Sequence, residues 1–203
     1  MANFLSVATD ELYRIFHLLN VKYFDSYLPE PMITIQSGAR KNAQGWFTTY
    51  KAWSHKETEE ALYEINMSAE YLNRNIIEIV GTLQHELVHY SNKLAEIKDA
   101  SDNVHNKKFK SAAEKVDLIV EKSNSYGWGI TACNPTLIKF ITDEIQPNAE
   151  VFNFFRIIPE KPKAPKSQFK YECTTCGIKV YGKRDLGIVC SECNQGLVME
   201  DDE

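Results

Sequence analysis

Between Ile76 and Leu94 the chain carries two stripes at once. Ile76, Val80, Leu83, Leu87 and Leu94 recur at offsets of 0, 4, 7, 11 and 18, the repeat of one helical face laid against a core. Glu78, Thr82, His85 and His89 recur on a second, polar stripe of the same segment. A helix of this kind must bury one side and turn the other to a cleft. The rest of the chain therefore has to supply both a core and the far wall of that cleft.

Within the helix lies His85-Glu86-Leu87-Val88-His89. A spacing of four puts the two imidazoles one turn apart on one face, where both can meet a single ion. Glu86 falls beside that face, placed to act on water at the ion rather than to ligate it. The same residues would also serve as ordinary histidines of an amphipathic helix, but a polar stripe in an otherwise apolar segment favours the metal. A catalytic zinc takes three protein ligands and keeps a fourth position open. His105, sixteen residues after His89 and at the start of the next helical pattern, is the candidate third ligand. His17 on the opening helix and His55 in a charged loop lack ligand spacing.

A second constraint sits at the other end. Cys173-Thr174-Thr175-Cys176 and Cys190-Ser191-Glu192-Cys193 are two C-x-x-C pairs with thirteen residues between them, enough for a hairpin. Four thiolates from two tight turns close a tetrahedral zinc site, and so small a module needs the metal to fold. Two zinc ions per chain are expected, one catalytic and one structural. Cysteines clustered in this way suit metal in a reducing compartment rather than disulfides, and the fifth, Cys133, reads as a small packed residue. Asp10, Glu11 and Arg14 interrupt the first apolar pattern, and no apolar run is long enough to span a bilayer. The expectation is a cytoplasmic chain without a membrane partner.

At 203 residues, 43% of them hydrophobic, the chain can bury one ordinary core and carry a small appendage. Residues 9–24 place Leu12, Ile15, Phe16, Leu19 and Tyr23 on one helical face, with Thr9 as N-cap. Pro29 and Pro31 break that pattern, and stretches around Ile33, Trp46 and Ile65 read as three strands of a small antiparallel sheet. Beyond the central helix, Phe109, Ala113, Val116 and Val120 have the spacing of another helix, and Asn134-Pro135 supplies the N-cap and first residue of a further one. The apolar run from Val151 to Ile158 is compatible with a strand. Pro159 to Ser167, rich in proline and lysine, suits neither a helix nor a central strand. The expected organisation is α+β: a catalytic domain over 1–158, a linker over 159–168, and a four-cysteine ribbon with an acidic tail over 169–203.

A net charge of −5 argues against a surface coated in nucleic-acid-binding charge. From Arg156 to Arg184, however, eight basic residues face only Glu160 and Glu172. Here Lys170, Tyr171, Lys179, Tyr181, Lys183 and Arg184 interleave aromatic and basic groups, and they are candidate contacts to single-stranded or damaged DNA. The opposing reading is a solvated linker with aromatics packed in the ribbon's own small core.

Leu19-Asn20 with Tyr23-Phe24 and Leu28-Pro29, then Gly45-Trp46-Phe47, Ile65-Asn66-Met67-Ser68, the His85–His89 motif, His105 with Phe109, and the ribbon cysteines make a pattern along nearly the whole chain. It resembles the SprT-like metallopeptidases, a family that includes the Spartan proteases, which digest proteins crosslinked to DNA. The resemblance implies a mini-zincin fold and a protein substrate. Peptide-bond hydrolysis would then use Glu86 as general base, with Tyr63, Tyr90 and Tyr126 as oxyanion candidates by their chemistry alone. The family usually has glycine after the third histidine; Asn106 stands there in this chain, a residue that tolerates a left-handed backbone. The fold does not fix the substrate. Two alternatives stand beside the crosslink reading: a regulatory protease whose ribbon recruits one specific protein, and a non-catalytic ribbon adaptor, against which the retained Glu86 speaks.

Overall fold

The first helix, α1 (Phe4–Tyr23), begins six residues before its apolar pattern suggests. Asn3, not Thr9, is its N-cap, accepting from Leu5 N at 3.2 Å, so Thr9, Asp10 and Glu11 lie inside the helix. Ala8, Leu12, Ile15, Phe16 and Leu19 form its buried face. The helix ends where Asp25 and Ser26 take positive φ, and buried Asn20 grips the returning chain. Its Nδ2 donates to Leu28 O at 2.9 Å and its Oδ1 accepts from Leu28 N at 3.2 Å. Leu19-Asn20 with Leu28-Pro29 is thus a corner from helix to strand, closed by a side-chain amide in place of a backbone ladder.

This computed structural model describes residues 3–38, 42–102, 104–158 and 167–200. After the corner come β1 (Met32–Gln36), β2 (Gly45–Phe47), an exposed hairpin of β3 (Trp53–Ser54) and β4 (Ala61–Leu62), and β5 (Glu64–Ser68). The sheet order is β1-β5-β2, with β2 antiparallel but β1 parallel to β5, so the sheet expected to be antiparallel is mixed. The physical reason is the long connection from β1 to β5, which returns the chain in the same direction and leaves β2 to pair on the far side. Ile65 and Met67 point into the core. On the opposite face Glu64 accepts from Thr34 Oγ1 at 2.7 Å and Gln36 Nε2 at 2.8 Å, which satisfies a buried carboxylate.

The central helix, α2 (Ile76–Leu94), is capped by Asn75 and buries Val80, Leu83 and Leu87 completely. It packs against α1, β2 and β5. Two short strands, β6 (Ala100–Ser101) and β7 (Val104–His105), lead into α3 (Lys107–Lys115). The expected continuation of α3 to Val120 does not form: Val116 closes the helix, Asp117 takes a φ of 63°, and Val120 lies in β8 (Leu118–Ser123). The β-branched pair Ile119-Val120 instead joins a hairpin with β9 (Gly127–Cys133). The second sheet has the order β6-β7-β9-β8, with β7 and β9 parallel and His105 opposite Gly127.

Asn134 caps α4 (Pro135–Phe140) through Leu137 N at 2.9 Å, as its sequence predicts. The run from Val151 to Ile158 makes no strand; a 3-10 turn over Ala149–Phe152 buries Phe152, and Arg156 N donates to Ala69 O at 3.0 Å. The chain divides into two units at residues 158 and 159. The proline-lysine segment 159–166 lies outside the described residues. In the second unit β10 (Phe169–Glu172) pairs antiparallel with β11 (Lys179–Gly182) and β12 (Val198–Met199). The architecture is α+β. Among the described residues no helix is long and apolar enough to cross a membrane.

Candidate metal centre

One turn of α2 separates His85 from His89, and β7 brings His105 to the same point. His105 Nε2 lies 3.2 Å from His85 Nε2 and 2.9 Å from His89 Nε2. The other ring nitrogens each have an outer partner. His85 Nδ1 meets Thr131 Oγ1 at 2.9 Å, His89 Nδ1 meets Asp99 Oδ2 at 2.8 Å, and His105 Nδ1 meets the Tyr126 carbonyl at 3.2 Å. A carboxylate and a carbonyl only accept, so His89 and His105 carry their protons on Nδ1, and Thr131 can accept the third. Neutral rings so arranged turn three Nε2 lone pairs on one another, an arrangement that a cation relieves. Tetrahedral zinc with nitrogen ligands at about 2.0–2.1 Å sets its ligand atoms ~3.3 Å apart, close to the observed spacing. The donor set fits zinc.

Electrostatics agree with this. Burial, together with the neighbouring His89 and His105, holds the His85 imidazole well below its ordinary range, so it stays neutral and able to ligate. Burial opposes the charge on Asp99, but hydrogen bonds from His89 and from Asn92 Nδ2 at 2.9 Å keep its carboxyl below the usual value. Burial also pushes Glu86 up to about 7, with His89 pulling it down and Asp99 adding to the rise. The ring of Phe109, with no exposed surface, packs 4.5–4.7 Å from all three imidazoles and forms the floor of the centre.

Two glycines leave room for these groups. A Cβ on Gly45 in β2 would stand 2.9 Å from Thr82 Cγ2 and 3.3 Å from Glu86 Oε1, so only glycine lets the strand pass so close to the carboxylate. A Cβ on Gly129 would come within 2.4 Å of His105 Nδ1.

The sequence profile of the SprT-like family matches residues 12–129, more than half of the chain and all of this centre except Thr131. The chain belongs to the SprT-like family. No curated protein and no solved structure matches it.

In this SprT-like chain Asn106 has φ −99° and ψ −175°, an extended conformation, so the left-handed turn expected after His105 is absent. Asn106 acts as the N-cap of α3 instead. Asp99, Thr131 and the Tyr126 carbonyl were not among the sequence candidates, because each comes to the histidines from outside α2 and no spacing marks it; Asn92, on α2 itself, acts only through Asp99. Of the tyrosines, Tyr90 is buried in a trio with Phe47 and Tyr63, where burial pushes its phenol up to about 12. His17 pairs with Glu30 on the surface, and His55 Nδ1 accepts from Glu57 N and Thr58 N in the β3–β4 hairpin; both lie outside the centre. Cys133 packs against α2, its thiol 3.4 Å from Ile77 O.

In the second unit the sulfurs of Cys173, Cys176, Cys190 and Cys193 lie within 4.8 Å of one another, a donor set suited to zinc. Backbone N–H groups of Cys176 and Thr175 hold the Cys173 thiol down at about 7. Each knuckle closes on a residue with positive φ, Gly177 and Asn194. Among the described residues, two of the basic groups are paired with acids. Lys170 pairs with Glu200 at 2.8 Å and with Glu172 at 3.5 Å, and Lys179 pairs with Glu172 at 3.4 Å. Tyr171 is buried, donating to Lys183 O at 2.6 Å and accepting from Leu186 N at 2.9 Å, so it belongs to the ribbon's core and has no free face for a base. Tyr181, Lys183 and Arg184 remain exposed, Arg184 above the Phe169 ring.

Proposed function

We propose that this SprT-like chain is a cytoplasmic zinc-dependent peptidase whose substrates are proteins, including proteins bound or crosslinked to DNA. The observation that carries the reading is the convergence of three Nε2 atoms beside the buried Glu86. His85, His89 and His105 hold the ion, which when bound supplies a Lewis acid that polarises a carbonyl and eases ionisation of water near neutral pH. Glu86 takes the proton of the attacking water and returns it to the leaving amine. Asp99, Thr131 and the Tyr126 carbonyl fix the three rings, so little reorganisation accompanies the reaction. Gly45, with no Cβ, lets β2 pass close to Glu86 Oε1 without crowding it.

The test is cleavage of a DNA-binding protein by the zinc-loaded chain and by Glu86→Gln, each with and without single-stranded DNA. The wild type is expected to cleave, more strongly with DNA. Glu86→Gln is expected to keep both zinc ions and its fold while losing about 10²- to 10⁴-fold in rate. Full activity in that variant removes Glu86 from the mechanism. The pairing of Lys170 and Lys179 with acids favours a second reading, a ribbon that recruits one specific protein. It predicts cleavage without stimulation by DNA, and loss of partner binding in Cys173→Ser.

A further inference from the structure

Asn106 stands next to the third histidine and spends every polar group it has. Its backbone N–H donates to Asp99 O at 2.9 Å and its Nδ2 donates to Lys98 O at 2.9 Å. Its Oδ1 accepts from Lys108 N at 2.7 Å and from Phe109 N at 3.3 Å, at the first turn of α3. The amide orientation follows from these partners, since the nitrogen faces a carbonyl and the oxygen faces two N–H groups.

Each bond ends on a part of the centre. Lys98 and Asp99 belong to the segment whose carboxylate aims His89. Phe109 is the ring beneath all three imidazoles. His105 is the adjacent residue, and in β7 it lies opposite Ala100, just after Asp99. A single side chain therefore joins the loop that orients one ligand to the helix that floors all three, at the point where the remaining ligand leaves its strand.

We propose that Asn106 is a positioning residue for the three-histidine centre, locking the Lys98-Asp99 segment to the start of α3 so that His89 and His105 are held for the ion together. Helix capping is one part of this role and the bond to Lys98 O is the other. The two separate by substitution. Asn106→Ser and Asn106→Asp keep an acceptor for the α3 N–H groups but lose the donor to Lys98 O, and aspartate also sets a carboxylate against that carbonyl. Asn106→Ala loses both.

The inference rests on the metal reading of the three histidines and not on peptidase activity, so binding tests it. Cobalt(II) is titrated into the metal-free full-length chain. The thiolate-to-cobalt charge-transfer band reports the ribbon, and the weaker visible bands report the nitrogen-ligated centre. Asn106→Ser and Asn106→Asp are expected to melt near the wild-type temperature and bind cobalt at the histidine centre about 10- to 100-fold more weakly, with ribbon binding unchanged as the internal control. Asn106→Ala is expected to lose both affinity and thermal stability. Wild-type affinity in the serine and aspartate variants, with only the alanine variant melting early, reduces Asn106 to a helix cap and overturns the proposal. A wild-type chain that binds at the ribbon alone overturns the metal reading itself, and the proposal with it.

Discussion

Asp99 lies ten residues beyond His89, and its carboxylate decides how that ring is presented. It accepts from His89 Nδ1 and from Asn92 Nδ2, which fixes the tautomer and leaves Nε2 free for the ion. Asp99→Asn keeps the shape and removes the charge. It is expected to lower zinc affinity at the histidine centre by about 10- to 100-fold, measured by competition with a chelator, while the ribbon's affinity stays put. At this scale the sequence is readable only where chain spacing and spatial spacing coincide. His85, Glu86 and His89 share one helix, so their geometry follows from 3.6 residues per turn, and His105 is recognisable as a histidine at loop distance. Asp99 and Thr131 are ordinary polar residues until β7 pairs with β6 and β9, and Gly45 reveals its purpose only when β2 passes beside Glu86.

Elements were legible through their apolar repeats and less so at their ends. The stripes of α1 and α2 predict their buried faces, but an N-cap is one hydrogen bond, and Asn3 and Thr9 are equivalent on paper. The spacing of Phe109, Ala113, Val116 and Val120 continues past the real end of α3 because a turn with positive φ at Asp117 can return a valine to the same core from a strand. A further tie between distant elements has a pH signature. Glu11 in α1 accepts from Arg14 Nη2 at 2.7 Å and from Asn148 N at 2.8 Å, while Arg14 reaches Ile145 O at 3.0 Å. Burial works against the charge of Glu11, but the bonds from Arg14 and Asn148 prevail and hold its carboxyl below the ordinary value. A carboxyl depressed in the folded state contributes fully above its unfolded pKa of about 4.3 and loses that contribution as pH falls through the folded value. Glu11→Gln is therefore expected to lower the melting temperature at neutral pH, with the gap to wild type closing as the pH falls below about 4.

For the molecule as a whole, the two units draw their stability from different sources. The first has a continuous core from Ala8 to Phe152, whereas the described part of the second has Tyr171, Cys173 and Cys190 as its buried apolar groups. A chelator is expected to unfold the ribbon and leave the first unit folded, because a module with so little core takes its folding energy from the metal. Amide spectra check this: resonances from 167–200 should collapse while those of α1 and α2 persist. The ribbon was legible because four cysteines in two knuckles admit few arrangements, while the pairing of Lys170 with Glu172 and Glu200 was not, because it forms only after the strands pair. The hydrogen bond from His85 to Thr131 spans 46 residues of chain, and it has a consequence for synthesis. A polypeptide emerging from the ribosome has both motif histidines outside long before β9 follows, so during that interval His85 lacks its outer partner and His105 lacks one of its two neighbouring strands. A nascent chain of this design cannot complete its three-histidine cluster until most of the first unit has been made.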